Sequence, residues 1–213
     1  MRQLLLPLLL VPALINAQSV RMGPRAGVGL ATISAGQFLE WNGLPKVGPI
    51  FGWSFEIPWA AQASFLIEPM YITKGSLVQN PAMRTWTSSR LGYLELPLLV
   101  KFSLQNDPGG IYLSGGAIGV LWMNGRYRVK QDGKVMMDTK YNVTGTNNRT
   151  QVSLAAGMGW DIGTSAFEVR IQQSITPFSP VIRGQNLVVG LHYTYYLPQK
   201  QKNAKDPEEE DAE

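Results

Sequence analysis

Stretches that are apolar at every second residue recur about eight times along this chain, and the gaps between them alternate between long and short. One stretch reads Val47, Pro49, Phe51, Trp53, Phe55, Ile57; another reads Leu94, Leu96, Leu98, Val100, Phe102, Leu104. A side-chain period of two specifies a strand with one apolar face. At about ten residues each, the stretches are as long as a tilted strand must be to cross a bilayer. Long polar loops alternating with tight turns are the connections of a transmembrane barrel.

The pattern predicts an all-β fold: an eight-stranded antiparallel up-and-down transmembrane β-barrel of OmpA/OmpX-like size. The expected strands cover residues 20–34, 46–57, 63–74, 90–104, 111–124, 150–162, 165–176 and 186–197. The connection from 125 to 149 is then the longest loop. This parity puts both chain ends and all the short turns on one side, the periplasm of an outer-membrane barrel.

The ends divide the chain into three parts. Met1-Arg2-Gln3, an apolar run from Leu4 to Ile15 and then Asn16-Ala17 read as a secretory signal peptide over residues 1–17, cut before Gln18. The barrel domain is expected over 18–197. Residues 198–213 hold three lysines and six acids with no large apolar side chain, and read as a disordered acidic periplasmic tail. The absence of cysteine excludes a lipid-anchored lipoprotein and a disulfide scaffold.

Two faces emerge from the alternation. Phe55, Trp59, Phe65, Phe102, Trp160, Phe167, Tyr193 and Tyr195 fall near the short-turn ends, as a girdle of rings at the headgroup level does. The opposite face carries small residues: Gly27, Gly29, Ala31, Gly48, Gly52, Ser54, Ser114, Gly116, Ser153, Ala155, Gly157 and Gly159. A narrow lumen that side chains nearly fill favours such residues. The same face holds the charges Arg25, Glu56, Glu68, Glu95, Lys101, Asp161, Glu168 and Arg170. Charges in so confined a space are costly unless paired, so they are expected to form a structural salt-bridge network that plugs the barrel. His192, the only histidine, also faces inward on the last strand.

Tyr93-Leu94-Glu95-Leu96-Pro97-Leu98-Leu99-Val100-Lys101 resembles the tyrosine–leucine–glutamate–isoleucine–proline–leucine–leucine strand of the PorT-like outer-membrane β-barrel proteins of Bacteroidetes-type bacteria. Leu66 to Gly75 resembles that family's preceding strand, and Ile111 to Gly116 the following one. The resemblance implies an eight-stranded barrel in the porin-like cell-envelope class. It implies little about activity, beyond a named member that is an accessory of type IX secretion. Gly190, Tyr193 and Tyr195 are similar in spacing to the assembly signal read by the barrel-insertion machinery.

The long loops and adjoining strand ends are basic. Lys46, Lys74, Arg84, Arg90, Arg126, Arg128, Lys130, Lys134, Lys140, Arg149 and Arg183 stand against Glu40, Asp132 and Asp138. The expected partners are therefore outer-membrane lipid and lipopolysaccharide, with the assembly machinery during biogenesis and an envelope protein as further candidates. Nucleic-acid motifs are lacking. No catalytic constellation, cofactor motif or metal-ligand cluster is legible. The leading expectation is a non-enzymatic structural or interaction protein. The alternatives are a secretion or export accessory, a lipid-modifying enzyme using His192, and a narrow channel.

Overall fold

The computed structural model describes residues 20–34, 44–105, 109–141, 149–177 and 184–198. Every regular element among them is a β-strand: β1 (Arg21–Ser34), β2 (Leu44–Ala60), β3 (Ala63–Ile67), β4 (Met70–Asn80), β5 (Thr85–Ser103), β6 (Gly110–Gln131), β7 (Lys134–Tyr141), β8 (Thr150–Ile162), β9 (Ser165–Ser174) and β10 (Gln185–Tyr195). The expected signal peptide, most of the expected tail and Arg183 lie outside the described residues.

The strands form one antiparallel sheet that closes on itself. β1 pairs with β2 on one side and with β10 on the other, in the registers Arg21↔Glu56 and Gly27↔His192. β3 and β4 occupy one position in the wall, since both lie between β2 and β5. β7 flanks β6 alone. The wall therefore has eight positions and no open edge, which satisfies the backbone where no water is available.

The eight-stranded wall is as expected, and ten strands are distinguished along it for two local reasons. The third expected strand breaks at Glu68-Pro69, because Pro69 has no N–H to give to the ladder. Pro97 on the neighbouring β5 lacks one too. The break is bridged by Glu68 N–H donating to the Pro97 carbonyl (3.1 Å) and Trp53 N–H donating to that of Pro69 (3.0 Å).

The second reason corrects the reading of 125–149 as a loop. β6 continues to Gln131, turns through Asp132-Gly133 and returns as β7. Asp132 (φ 48°) and Gly133 (φ 78°) take the left-handed backbone that a two-residue type I′ hairpin requires. β4 and β5 likewise run past their expected ends, to Asn80 and from Thr85. Thr85 pairs with both Asn80 and Gln131. The upper parts of β4, β5, β6 and β7 thus make a four-stranded sheet that stands beyond the wall at the long-loop end.

The apolar residues at alternate positions face outward. Leu94, Leu96, Leu98, Val100 and Phe102 line the outside of β5, with Leu98 53% exposed. In water such a surface would be a large aggregation-prone patch; in a bilayer it is solvated by lipid. The inside is more mixed than the small-residue face suggested. Tyr93, Tyr112, Ile50, Ile72, Leu91, Leu99 and Ile118 are fully or almost fully buried there. Glycines make room for them. At Gly159 an added Cβ would run into the Tyr112 ring and the Phe167 carbonyl.

Candidate functional site: the lumen and the basic sheet above it

All eight charged residues assigned to the lumen lie inside the barrel and are almost wholly buried. They sort by depth into three groups. Nearest the short turns, Lys101 Nζ contacts Glu56 Oε1 (2.8 Å) and Asp161 Oδ2 (2.7 Å). Arg21 completes this group, bonding Asp161 (2.8 Å) and Glu56 (3.3 Å) while stacking on the Tyr196 ring at 4.0 Å. One level deeper along the strands, Arg170 donates to Glu68 (2.7 Å) and Glu168 (2.8 Å). Arg25 contacts Glu68 at 3.1 Å and also donates to Glu168. The third group is Lys74 with Glu95 at 2.5 Å, and Gln172 donating to both Glu95 oxygens (2.9 and 3.0 Å).

Each group is neutral by itself: two cations with two carboxylates, two with two, then one with one. A buried ion pair returns its desolvation cost only with good geometry and satisfied lone pairs. Glu168 shows how that is met. It accepts from Arg170, Arg25 and the Ser114 hydroxyl at once. Above the third group, Tyr93 accepts a hydrogen bond from Asn186 Nδ2 at 3.1 Å, continuing the fill with uncharged groups.

Two members escaped the sequence reading. Lys74 was expected at the basic rim, yet it is 1% exposed and points into the lumen. Its period-two neighbours Met70 and Ile72 are buried on the same face, so alternation was the signal. Arg21 lies four residues before Arg25 and shares its face for the same reason.

His192 faces inward and is buried. Its Nδ1 accepts from Arg25 Nε at 3.3 Å, and its Nε2 occupies the space that a side chain at Gly190 would need. The histidine is thus held by an arginine, and Ser114 is engaged with Glu168. Tyr193 and Tyr195 of the assembly spacing point outward, and Gly190 inward. Tyr193 packs on Phe167 with centroids 5.1 Å apart, and Trp59 stacks on Phe65 at 5.3 Å. These rings sit at the short-turn end, where the girdle was expected.

The rim residues behave differently from the lumen. Arg84, Arg90, Arg126, Lys130, Lys134 and Arg149 are exposed and Arg128 is half-exposed. Arg149 holds the upper wall, donating to the Trp122 carbonyl at 3.2 Å. Arg126 and Arg128 both bond one carboxylate, Asp138, at 2.6 to 3.1 Å. They hold the Asp138 carboxyl down at about 2. Arg84 is 3.7 Å from Asp132 across the hairpin tips. Lys46 donates to Ser88 Oγ (2.6 Å) and to the Ser89 carbonyl (3.1 Å). Among the described residues no carboxylate pairs with Lys46, Arg90 or Lys130.

A family model described as "outer membrane protein beta-barrel domain" matches residues 16–180. No curated protein matches the chain. Among solved structures, Neisserial surface protein A (NspA) is similar at a TM-score of 0.50 and 13% identity. The attachment invasion locus protein Ail of Yersinia pestis, in complex with the heparin analogue sucrose octasulfate, is similar at 0.48 and 9%. Each alignment covers 84% of this chain and 100% of the other. At such identities the NspA likeness speaks for the fold alone.

Proposed function

The chain belongs to the outer membrane protein beta-barrel domain family, and we propose that within it this protein is a non-enzymatic, plugged barrel that carries an interaction sheet outside the cell. It is an integral outer-membrane β-barrel. The observation that carries the proposal is the contrast between its two sets of charges. Among the described residues every lumen cation has a matched carboxylate, which leaves no unbalanced charge there to carry an ion. On the sheet formed by β4 to β7 the cations outnumber the acids, and that sheet is the part of the molecule free to meet a partner.

The finer likeness to PorT-like barrels rests on the strand from Tyr93 to Lys101. Its Glu95 and Lys101 supply two of the three lumen groups, while Leu94, Leu96 and Leu98 face lipid.

The test has two arms on the full-length protein. Reconstituted in planar bilayers it should give no conductance steps. Replacing residues 126–140 by a short turn should leave its heat-modifiable gel mobility unchanged, yet remove proteins or glycans that co-purify from outer membranes. Regular conductance steps refute the plug; co-purification that survives the replacement refutes the interaction sheet.

A further inference from the structure

The outer face of the β4–β7 sheet contains a recess of about 430 Å³ lined by Leu77, Trp86, Ser88, Arg128, Lys130 and Gly133. We infer that this recess binds an acidic saccharide, a sugar chain bearing carboxylate or phosphate groups, with the Trp86 ring against a sugar face and Arg128 and Lys130 on the anion. The inference deepens the interaction-sheet reading and rests on it.

Strand pairing builds the site. Leu77 is opposite Ser88, Ser88 opposite Arg128, and Trp86 opposite Lys130. Arg126, Arg128 and Lys130 fall at alternate positions of β6 and so share one face. Arg90 lies directly across from Arg126 on the same face. Like charges placed opposite each other weaken a sheet. Two guanidiniums sharing Asp138 leave one positive charge over, and Lys130 adds a second. This is uncompensated charge held next to an aromatic side chain that is 43% exposed. Trp86 has an apolar ring face and one N–H, which suits the mixed surface of a sugar. Arg128 gives Nε and Nη2 to Asp138 and keeps Nη1 for a carboxylate or phosphate oxygen, a charge-assisted contact. The volume lies in the range of small-ligand pockets, about 300–1,000 Å³, and a flat protein partner would leave it empty.

Height above the membrane decides the source of the ligand. Leu94 tops the outward apolar row of β5, and Trp86 is eight residues further along the same strand. At about 3.4 Å per residue and a tilt of about 40°, Trp86 stands roughly 20 Å above the apolar band. Lipid headgroup phosphates lie well below that level, beside Arg90 and Arg126. The recess therefore faces the zone of surface polysaccharide and soluble glycans.

The experiment uses the full-length protein folded in detergent micelles, with three fluorescently tagged probes: tetragalacturonate, uncharged maltotetraose and a polyphosphate matched in charge to the galacturonate. The acidic sugar should bind more tightly than either control. Arg128→Gln/Lys130→Gln should weaken it by about tenfold or more, the loss expected for charge-assisted hydrogen bonds. Trp86→Ala should weaken it by roughly tenfold, as expected for uncovering about 50 Å² of ring, and leave polyphosphate binding unchanged. Arg126 still holds Asp138 bidentately in these variants, and unchanged heat-modifiable mobility verifies that they fold. Equal binding of galacturonate and polyphosphate, or an unaffected Trp86→Ala, overturns the saccharide site. If the recess variants bind normally while the 126–140 replacement loses co-purifying material, the site fails and the interaction sheet stands.

Discussion

Substitution of Arg170 by Met isolates the principle that holds the barrel interior together. Arg170 gives three hydrogen bonds: to Glu68 at 2.7 Å and to Glu168 at 2.8 and 3.0 Å. Methionine fills a similar volume, so the chief change is charge. The middle group then holds Arg25 against two carboxylates and carries one negative charge with no counter-ion. Breaking a buried pair from one side costs about 3–5 kcal/mol, which shifts the unfolding equilibrium by roughly 10²- to 4 × 10³-fold. The companion variant Arg170→Met/Glu168→Gln restores neutrality, with Arg25 facing Glu68. It should recover at least about 2 kcal/mol of that loss, because a neutral polar layer replaces an unpaired buried charge. Urea unfolding in lipid vesicles, followed by tryptophan fluorescence and heat-modifiable mobility, measures both. Neutrality by layer is refuted if the single variant costs less than about 1 kcal/mol, or if the double variant is no more stable than Arg170→Met alone.

Other expectations follow from particular contacts. Asp138, held near 2 by Arg126 and Arg128, contributes to the β6–β7 hairpin in full above the ordinary carboxylate range. That contribution declines as pH falls from the ordinary value of 3.8 through about 2. An NMR titration of its carboxylate should have a midpoint near 2, and a midpoint at the ordinary value would mean that the two arginines do not hold it. Gly159→Ala places a methyl against the Tyr112 ring and the Phe167 carbonyl and should cost about 1–3 kcal/mol in the same urea assay; an unchanged midpoint would show that the lumen is looser than its packing implies. Replacing Asp132-Gly133 with Val-Val removes the residues suited to the tight turn. Amide exchange should then accelerate across β7 and the top of β6 while the wall strands stay protected; equal protection throughout would show that the turn does not govern the hairpin.

The barrel was legible because one face of every wall strand must meet lipid. That demand writes a period of two over ten or more residues, and Leu94 to Phe102 is its clearest case. The lumen charges could be placed by the same alternation, with no need to know their partners. What alternation could not supply was pairing. Nothing in the sequence joins Arg170 to Glu68, 102 positions away, or divides the charges into three neutral groups. Lys74 was misplaced because the strand was ended at it, when burial of Met70 and Ile72 carries the inward face one step further. The extension was missed for the opposite reason. Above the membrane neither face of β6 and β7 is lipid-facing, so Arg126 to Lys140 has no strong apolar alternation. Only the Asp132-Gly133 pair marked the hairpin, and two residues in a polar stretch of twenty-five were read as part of a loop. The recess beside Trp86 joins strands β4, β5 and β6, and no local motif encodes it.

Arg25 stands on the first strand of the wall and reaches Thr194 on the last and Glu168 on the one before it. The middle charge group therefore exists only when the chain's two ends have met. A partly assembled sheet in the bilayer would expose Glu68, Glu168 and Arg170 to hydrocarbon with one cation missing. Each strand added before closure carries its charges as a debt, and the closing strand pair cancels it in a single event. Insertion of this barrel should thus be all-or-none, with half-built wall segments driven back to the aqueous side instead of lingering in the membrane.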